Sequence, residues 1–164
     1  MSAFEIRRFA AAIPAALLAT ACASVDHGLH ASHASHEDTM TEARQAVRFP
    51  PALHDHALAN MRDHLETLQR VQAALAQGRY DEAAQLAESR LGLTSLPLHG
   101  AHDVAPYMPE PMQELGTAMH RSASRFAVEA SNASATGDVK PALAALADLT
   151  AGCVACHAAY RLEK

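Results

Sequence analysis

The sequence lacks tryptophan, and aromatic residues make up only 4% of its 164 residues. Valine and isoleucine are also scarce, whereas alanine and leucine dominate a composition that is 49% hydrophobic. Strands favour β-branched and aromatic side chains, and helices favour alanine and leucine. The composition therefore predicts a helical protein and disfavours a β-sheet fold. A core built from alanine and leucine is thin, so a large apolar group would complete it.

Positive charge is also in short supply. The chain has 13 Lys and Arg against 18 Asp and Glu, which gives a net charge of -5 with histidine neutral. Its basic side chains form no patch and do not alternate with aromatic ones, so the usual pattern of nucleic-acid binding is absent. The mild acidity instead favours docking to a basic protein partner.

The first 21 residues have the layout of a secretory signal peptide. Arg7 and Arg8 precede a short apolar run from Ala10 to Leu18, and small residues follow it. That run is too short to span a bilayer permanently. Cys22 leaves two interpretations open: it is the lipidated first residue of a membrane-tethered lipoprotein, or signal peptidase cuts near it and releases a soluble chain. Both interpretations predict export to the periplasm.

Residues 22–49 are predicted to form a flexible linker rich in histidine. Four histidines follow at intervals of three among alanine, serine and glycine, namely His27, His30, His33 and His36. One interpretation is a solvated tether in front of a folded domain. The other is a loose site for a divalent metal such as zinc, copper or nickel, because neutral imidazole suits all three.

From residue 50 to 164 the apolar residues recur with a helical period. A first helix is predicted to begin at Pro51 and to end at Gly78. Its apolar row consists of Leu58, Met61, Leu65, Leu68, Val71 or Gln72, and Leu75. A second helix is predicted from Asp81, as its cap, to Gly92.

A long connection without a clear period is predicted over residues 92–108. A third helix follows from Pro109 and Pro111 to Gly137, and a last one begins after Asp138 and includes Tyr160. Four amphipathic helices with one long connection predict an all-α fold, specifically an antiparallel four-helix bundle that spans residues 50–164. No segment alternates convincingly enough to predict a strand.

The last predicted helix carries the sequence Cys153-Val154-Ala155-Cys156-His157. Residues three and four apart share a helix face, so two thiols and one imidazole meet there. C-x-x-C-H is the attachment signature of a c-type haem. The two thiols form thioether bonds to the haem vinyl groups, and the imidazole binds the iron.

Three other interpretations of these cysteines carry less weight. A redox-active dithiol would be expected near a strand–helix unit, and the pattern contains none. A structural zinc site needs two further ligands, for which His99 and His102 are the nearest pair. A disulfide between residues three apart on a helix would cross-link almost nothing.

The chain resembles the class II c-type cytochromes, the family of cytochrome c-prime and its low-spin relatives. The resemblance rests on a helical bundle whose C-x-x-C-H lies near the C-terminus and continues to Arg161. It implies one covalent haem c held by Cys153 and Cys156, with His157 as the proximal iron ligand. Arg161 matches the basic residue of the family motif, and we expect it near the haem edge or a propionate. Members of this family often pair, which implies a homodimer.

The same resemblance implies that the first helix presents a residue over the distal face of the haem. Met61 lies in the middle of the apolar row at about the right place, and methionine otherwise serves there as core filler. His64 is a weaker candidate for this ligand. We expect His54, His56 and His120 to be surface residues.

Two functions follow from the choice of distal ligand. With Met61 bound, the protein is a periplasmic electron carrier for other redox proteins, since His/Met ligation raises the reduction potential. With the distal side open, it is a stress-protective module that binds nitric oxide or another gas or handles metal ions. No nucleophile–base pair, acidic dyad or phosphate loop predicts an enzyme.

Overall fold

A computed structural model describes residues 43–164, which are 78% helical. Its α-helices are α1 (Pro51–Ala76), α2 (Tyr80–Arg90), α3 (Ala101–Val104), α4 (Glu110–Thr136) and α5 (Lys140–Ala159). Two short strands, β1 (Gln45–Arg48) and β2 (Tyr160–Glu163), complete the elements together with two 3-10 turns. The predicted signal peptide, Cys22 and the four closely spaced histidines lie outside the described residues.

The predicted helical character is confirmed, and so are several helix ends. Gly78 and Gly137 follow α1 and α4 with φ of +69° and +76°, a left-handed conformation that glycine adopts without steric cost. Prolines occupy the first turns of α1, α4 and α5, where no backbone N–H is needed. Local sequence therefore determines where these helices start and stop.

Two details of the predicted helices differ from the structure. Asp81 does not cap α2; it lies inside the first turn, and its carboxylate accepts a hydrogen bond from Ser134 Oγ on α4 at 2.8 Å. The predicted connection at 92–108 is not irregular throughout, because it contains α3 and both 3-10 turns.

The helices pack in sequence order around an alanine-rich core. α1 packs on α2, α2 on α4, and α4 on α5, whereas α1 and α5 have little contact with each other. Phe126 of α4 and Leu149 of α5 are the largest fully buried side chains, and Val71 of α1 lies in the same cluster. Direct packing thus joins α1 to α2, α2 to α4 and α4 to α5.

The expectation that the chain contains no strand is wrong. β1 pairs in parallel with β2, with Gln45 opposite Tyr160 and Arg48 opposite Glu163. Val47 and Phe49 are buried beside this pair. The last residues of the predicted linker therefore belong to the folded domain. Tyr160, predicted to be helical, has extended backbone angles and begins β2.

The expectation that His54 and His120 lie on the surface is also wrong. They are only 7% and 8% exposed. His120 belongs to the buried face of α4, where its Nδ1 donates to the Leu91 carbonyl at 2.7 Å, and His54 Nδ1 pairs with Asp55 at 3.1 Å. Each hydrogen bond satisfies one nitrogen of its ring and so lowers the cost of burying it.

Two helical glycines provide a test of helix packing. A Cβ at Gly116 of α4 would meet no atom within 4 Å, whereas one at Gly152 of α5 would lie 3.2 Å from Met119 Cβ. Gly116→Ala should therefore stabilise the protein by about 1 kcal/mol, the usual helix-propensity gain. Gly152→Ala should gain clearly less, because α4 must shift to admit the new methyl group. Denaturant titration measures both changes, and equal gains would contradict the close α4–α5 approach.

Candidate functional site

The three residues of the C-x-x-C-H motif lie on the last two turns of α5. Cys153 and Cys156 are half-buried free thiols, and His157 is exposed. Burial raises the pKa of both thiols, and for Cys156 the neighbouring Cys153 adds to this effect. Both cysteines are therefore protonated at neutral pH.

The two thiols contact different parts of the interior. Cys153 packs against the main core cluster, to which Leu146 and Leu149 belong. Cys156 packs against a second, smaller cluster formed around Val47, Phe49 and Met112. The motif therefore lies at the junction of the two apolar clusters.

The strand pair holds the end of the motif helix in place. β2 begins three residues after His157, and β1 pairs along its whole length. The guanidinium of Arg44 donates to the His157 carbonyl at 3.3 Å. The segment just before α1 thus fixes the point at which α5 ends, close to the imidazole.

Arg161 lies on β2 rather than one helical turn beyond His157. Its guanidinium pairs with Glu163, which also accepts from Arg48 Nε at 3.0 Å. The Nε of Arg161 is buried and has no hydrogen-bond partner within residues 43–164. One donor of this side chain is therefore available to an anionic group near the end of α5.

Met61 lies on α1, away from the other candidate ligands. It is 39% exposed, and Leu65, one turn later, is 70% exposed. α1 turns Thr67, Val71 and Leu75 toward the core, so the predicted apolar row is buried at its C-terminal end and exposed at Met61 and Leu65. The structure thus gathers Cys153, Cys156, His157 and Arg161 at one end of α5 and leaves Met61 on a helix that α5 barely touches.

An open apolar groove of about 680 Å³ runs along the side of α5. It is lined by Gln72 of α1 and by Leu143, Leu146, Ala147, Thr150, Ala151, Val154 and Ala155 of α5. Leu143 and Val154 are 49% and 62% exposed.

The composition of α5 explains this exposure. Among the described residues it is the one helix long and apolar enough to cross a membrane, a test that core helices of soluble proteins also pass. A helix that is apolar on all sides is normally covered on all sides. Here α4 covers one side, and the groove faces another.

The alternative zinc site at the cysteines gains no support from the described residues. His99 is buried, whereas His102 is fully exposed and lies 3.6 Å from the Asp103 carboxylate. No group of three His, Cys, Asp or Glu side chains in residues 43–164 stands ready to hold a metal ion. His99 and His102 therefore do not act as a pair.

Comparison with known proteins identifies no relative. No protein-family model matches the sequence, and neither a curated protein nor a solved structure is detectably similar to it. The resemblance to class II cytochromes c rests on the motif residues Cys153, Cys156, His157 and Arg161 and on the helical pattern. The function is therefore argued from the chemistry of these side chains and their surroundings.

Cys153 and Cys156 pack against different apolar clusters, and this assignment can be tested by alkylating protein in which both thiols are free. Phe49→Ala should loosen the second cluster and speed alkylation of Cys156 more than that of Cys153. Leu146→Ala, in the main cluster, should show the opposite preference. Each truncation is expected to cost about 2–5 kcal/mol of stability. Peptide mass spectrometry measures both rates, and an unchanged ratio in both variants would contradict the assignment.

Proposed function

We propose that the protein is a periplasmic c-type cytochrome that carries one covalent haem and transfers electrons. The observation that carries the proposal is the C-x-x-C-H motif, which lies at the C-terminal end of an apolar helix. Cys153 and Cys156 would attach the haem, and His157 would be its proximal ligand. A haem supplies one-electron chemistry, and the protein supplies binding, orientation and burial.

The donor set suits a c-type haem. Thioether formation consumes two free thiols, and both cysteines are free rather than joined in a disulfide. On a helix, residues three and four apart lie on neighbouring rows, so Cys156 and His157 are both close to Cys153. A structural disulfide or a metal site formed by these cysteines has no comparable support.

A haem would also cover apolar side chains that are now exposed. Met61, Leu65, Leu143 and Val154 are all exposed large apolar side chains of α1 and α5. Covering one such side chain is worth about 1.5–3 kcal/mol, so a broad apolar ligand would gain several times that amount. The thin alanine-rich core favours the same conclusion, because few side chains of the protein are large enough to fill this space.

The packing order supports an antiparallel four-helix bundle with a haem on its open side. α1, α2, α4 and α5 are its four helices, and direct packing closes the sides α1–α2, α2–α4 and α4–α5. The side between α1 and α5 is the one that lacks packing, and both proposed axial ligands, Met61 and His157, come from these two helices. A haem between them would complete the bundle.

The remaining features of the proposal concern the haem edge and the location of the protein. The buried Nε–H of Arg161, which has no partner among the described residues, is available to a propionate. The predicted signal peptide delivers the chain to the periplasm, where bacteria attach haem c, either soluble or tethered through Cys22. Its partners are then basic redox proteins, and no organic substrate is converted.

A second candidate function follows from the exposure of Met61. Because Met61 is 39% exposed and its neighbour Leu65 is 70% exposed, an arrangement in which α1 leaves the iron open is also compatible with the fold. The protein would then bind nitric oxide or carbon monoxide. The difference between the two functions is the sixth ligand alone.

Covalent attachment is tested by the mass of the protein expressed in a periplasm that can mature cytochromes. The wild-type chain should carry the added mass of one protohaem. A Cys153→Ala/Cys156→Ala double variant should lack it, because both thioether bonds are lost. Val154→Ala, between the two cysteines on α5, serves as the matched control. A wild-type mass without this addition would refute the proposal.

The role of Met61 is tested by the visible spectrum of the reduced protein with and without carbon monoxide. If Met61 is the sixth ligand, the wild type should be low-spin and slow to bind carbon monoxide. Met61→Ala should become high-spin and bind it rapidly, whereas Leu65→Ala on the same helix should behave like the wild type. A high-spin wild type that binds carbon monoxide at once would favour the gas-binding function.

A further inference from the structure

Three histidines from separate segments meet inside the protein, apart from the C-x-x-C-H motif. They are His64 of α1, His99 of the connection before α3, and His120 of α4. The ring centroids are 4.5 Å apart for His64 and His99, 5.4 Å for His99 and His120, and 5.9 Å for His64 and His120. The Nε2 atoms of His64 and His99 are 3.2 Å apart.

Hydrogen bonds fix which nitrogen is free on two of these rings. A carbonyl oxygen can only accept, so the 2.7 Å bond to Leu91 places the hydrogen of His120 on Nδ1. His99 Nδ1 lies 3.3 Å from Ser95 Oγ, whose own hydrogen goes to the Gly92 carbonyl at 2.7 Å. His99 therefore also carries its hydrogen on Nδ1, and both rings present an unprotonated Nε2. The Nε2 of His99 accepts a hydrogen bond from His64 Nε2 at 3.2 Å, and a bound metal ion would displace this hydrogen.

The backbone around His99 is held firmly. Its carbonyl accepts from His56 Nε2 at 3.1 Å and from Asn60 Nδ2 at 3.0 Å, both on α1. The next residue, Gly100, turns the chain with φ of +61°. The connection thus holds the His99 imidazole against α1 before any ligand arrives.

The electrostatic surroundings favour neutral rings, which is the form that binds metal ions. Burial lowers the pKa of His64 and His99 to about 4, and it lowers the pKa of His120 as well. The Asp63 carboxylate attracts positive charge at His64 and His99, while Arg90, paired with one of its oxygens, opposes it. The other oxygen of Asp63 is buried without a hydrogen-bond partner among residues 43–164.

We propose that His64, His99 and His120 form a binding site for a divalent transition-metal ion. Three imidazoles with metal–nitrogen bonds of about 2.0–2.1 Å in a tetrahedral site would have nitrogens about 3.3 Å apart and ring centroids about 5 Å apart. The measured 3.2 Å and the three centroid distances are close to these values. Hydrogen bonds from Nδ1 to a carbonyl and a hydroxyl are the outer contacts that metal-binding histidines use.

The site is pre-arranged rather than complete. No three His, Cys, Asp or Glu side chains of the described residues already converge at ligand distances, so the rings must move for all three to bind one ion. Zinc, copper and nickel all suit three neutral imidazoles, and a fourth position would remain for water. The proposal does not depend on the haem, since none of its ligands belongs to the C-x-x-C-H motif.

The test is a zinc titration of the full chain, followed by competition with a chromophoric chelator. His27, His30, His33 and His36 are first replaced by alanine, so that the N-terminal histidines do not contribute. His99→Asn and His120→Asn are then compared with this parent, because asparagine keeps a donor near the place of Nδ1 and removes Nε2. His54→Asn is the matched control, since His54 is equally buried but outside the cluster.

The parent should bind one zinc ion, and X-ray absorption at the zinc edge should report nitrogen ligands at about 2.0–2.1 Å. His99→Asn and His120→Asn should each weaken binding by about 100-fold or more, while His54→Asn leaves it unchanged. Circular dichroism checks that each variant folds. If a variant does not fold, His64→Gln is tested in its place. A parent without a zinc site, or zinc binding that survives every cluster substitution, would show that the rings form only a hydrogen-bonded group and would overturn the proposal.

Discussion

α5 packs closely on α4 because Gly152, which has no side chain, leaves room for Met119. A Cβ added at Gly152 would lie only 3.2 Å from the Cβ of Met119. This contact sets the rotation of α5, and the other features of the candidate site depend on that rotation. It turns both cysteines toward the protein interior and leaves the apolar row with Leu143 and Val154 on the groove.

The same helix α4 also connects the two candidate sites. Met119 packs beside Gly152, one residue before the first cysteine, while His120 belongs to the histidine cluster. Successive residues of a helix point about 100° apart, so α4 can serve both sites with adjacent side chains. The proposed haem would close the α1–α5 side of the bundle, and the proposed metal ion would join α1 to α4 and the connection before α3.

The structural features that the sequence predicted correctly are those that depend on neighbouring residues in the chain. Gly78 and Gly137 were expected to end helices, and they do so because their left-handed backbone suits glycine. The strand pair was not predicted, because Gln45 and Tyr160 are far apart in the chain and each strand has only four residues. The burial of His120 was also not predicted, because its hydrogen-bond partner, the Leu91 carbonyl, lies on another segment of the chain.

The sequence by itself determined the helical composition and the spacing that brings Cys153, Cys156 and His157 onto the end of one helix. Both are local properties, fixed by intrinsic preference and by a repeat of 3.6 residues. Only the tertiary structure decided that α1 packs on α2 rather than on α5, that Arg161 lies on a strand, and that His64, His99 and His120 meet. These features depend on contacts between distant segments, which no local pattern of residues specifies.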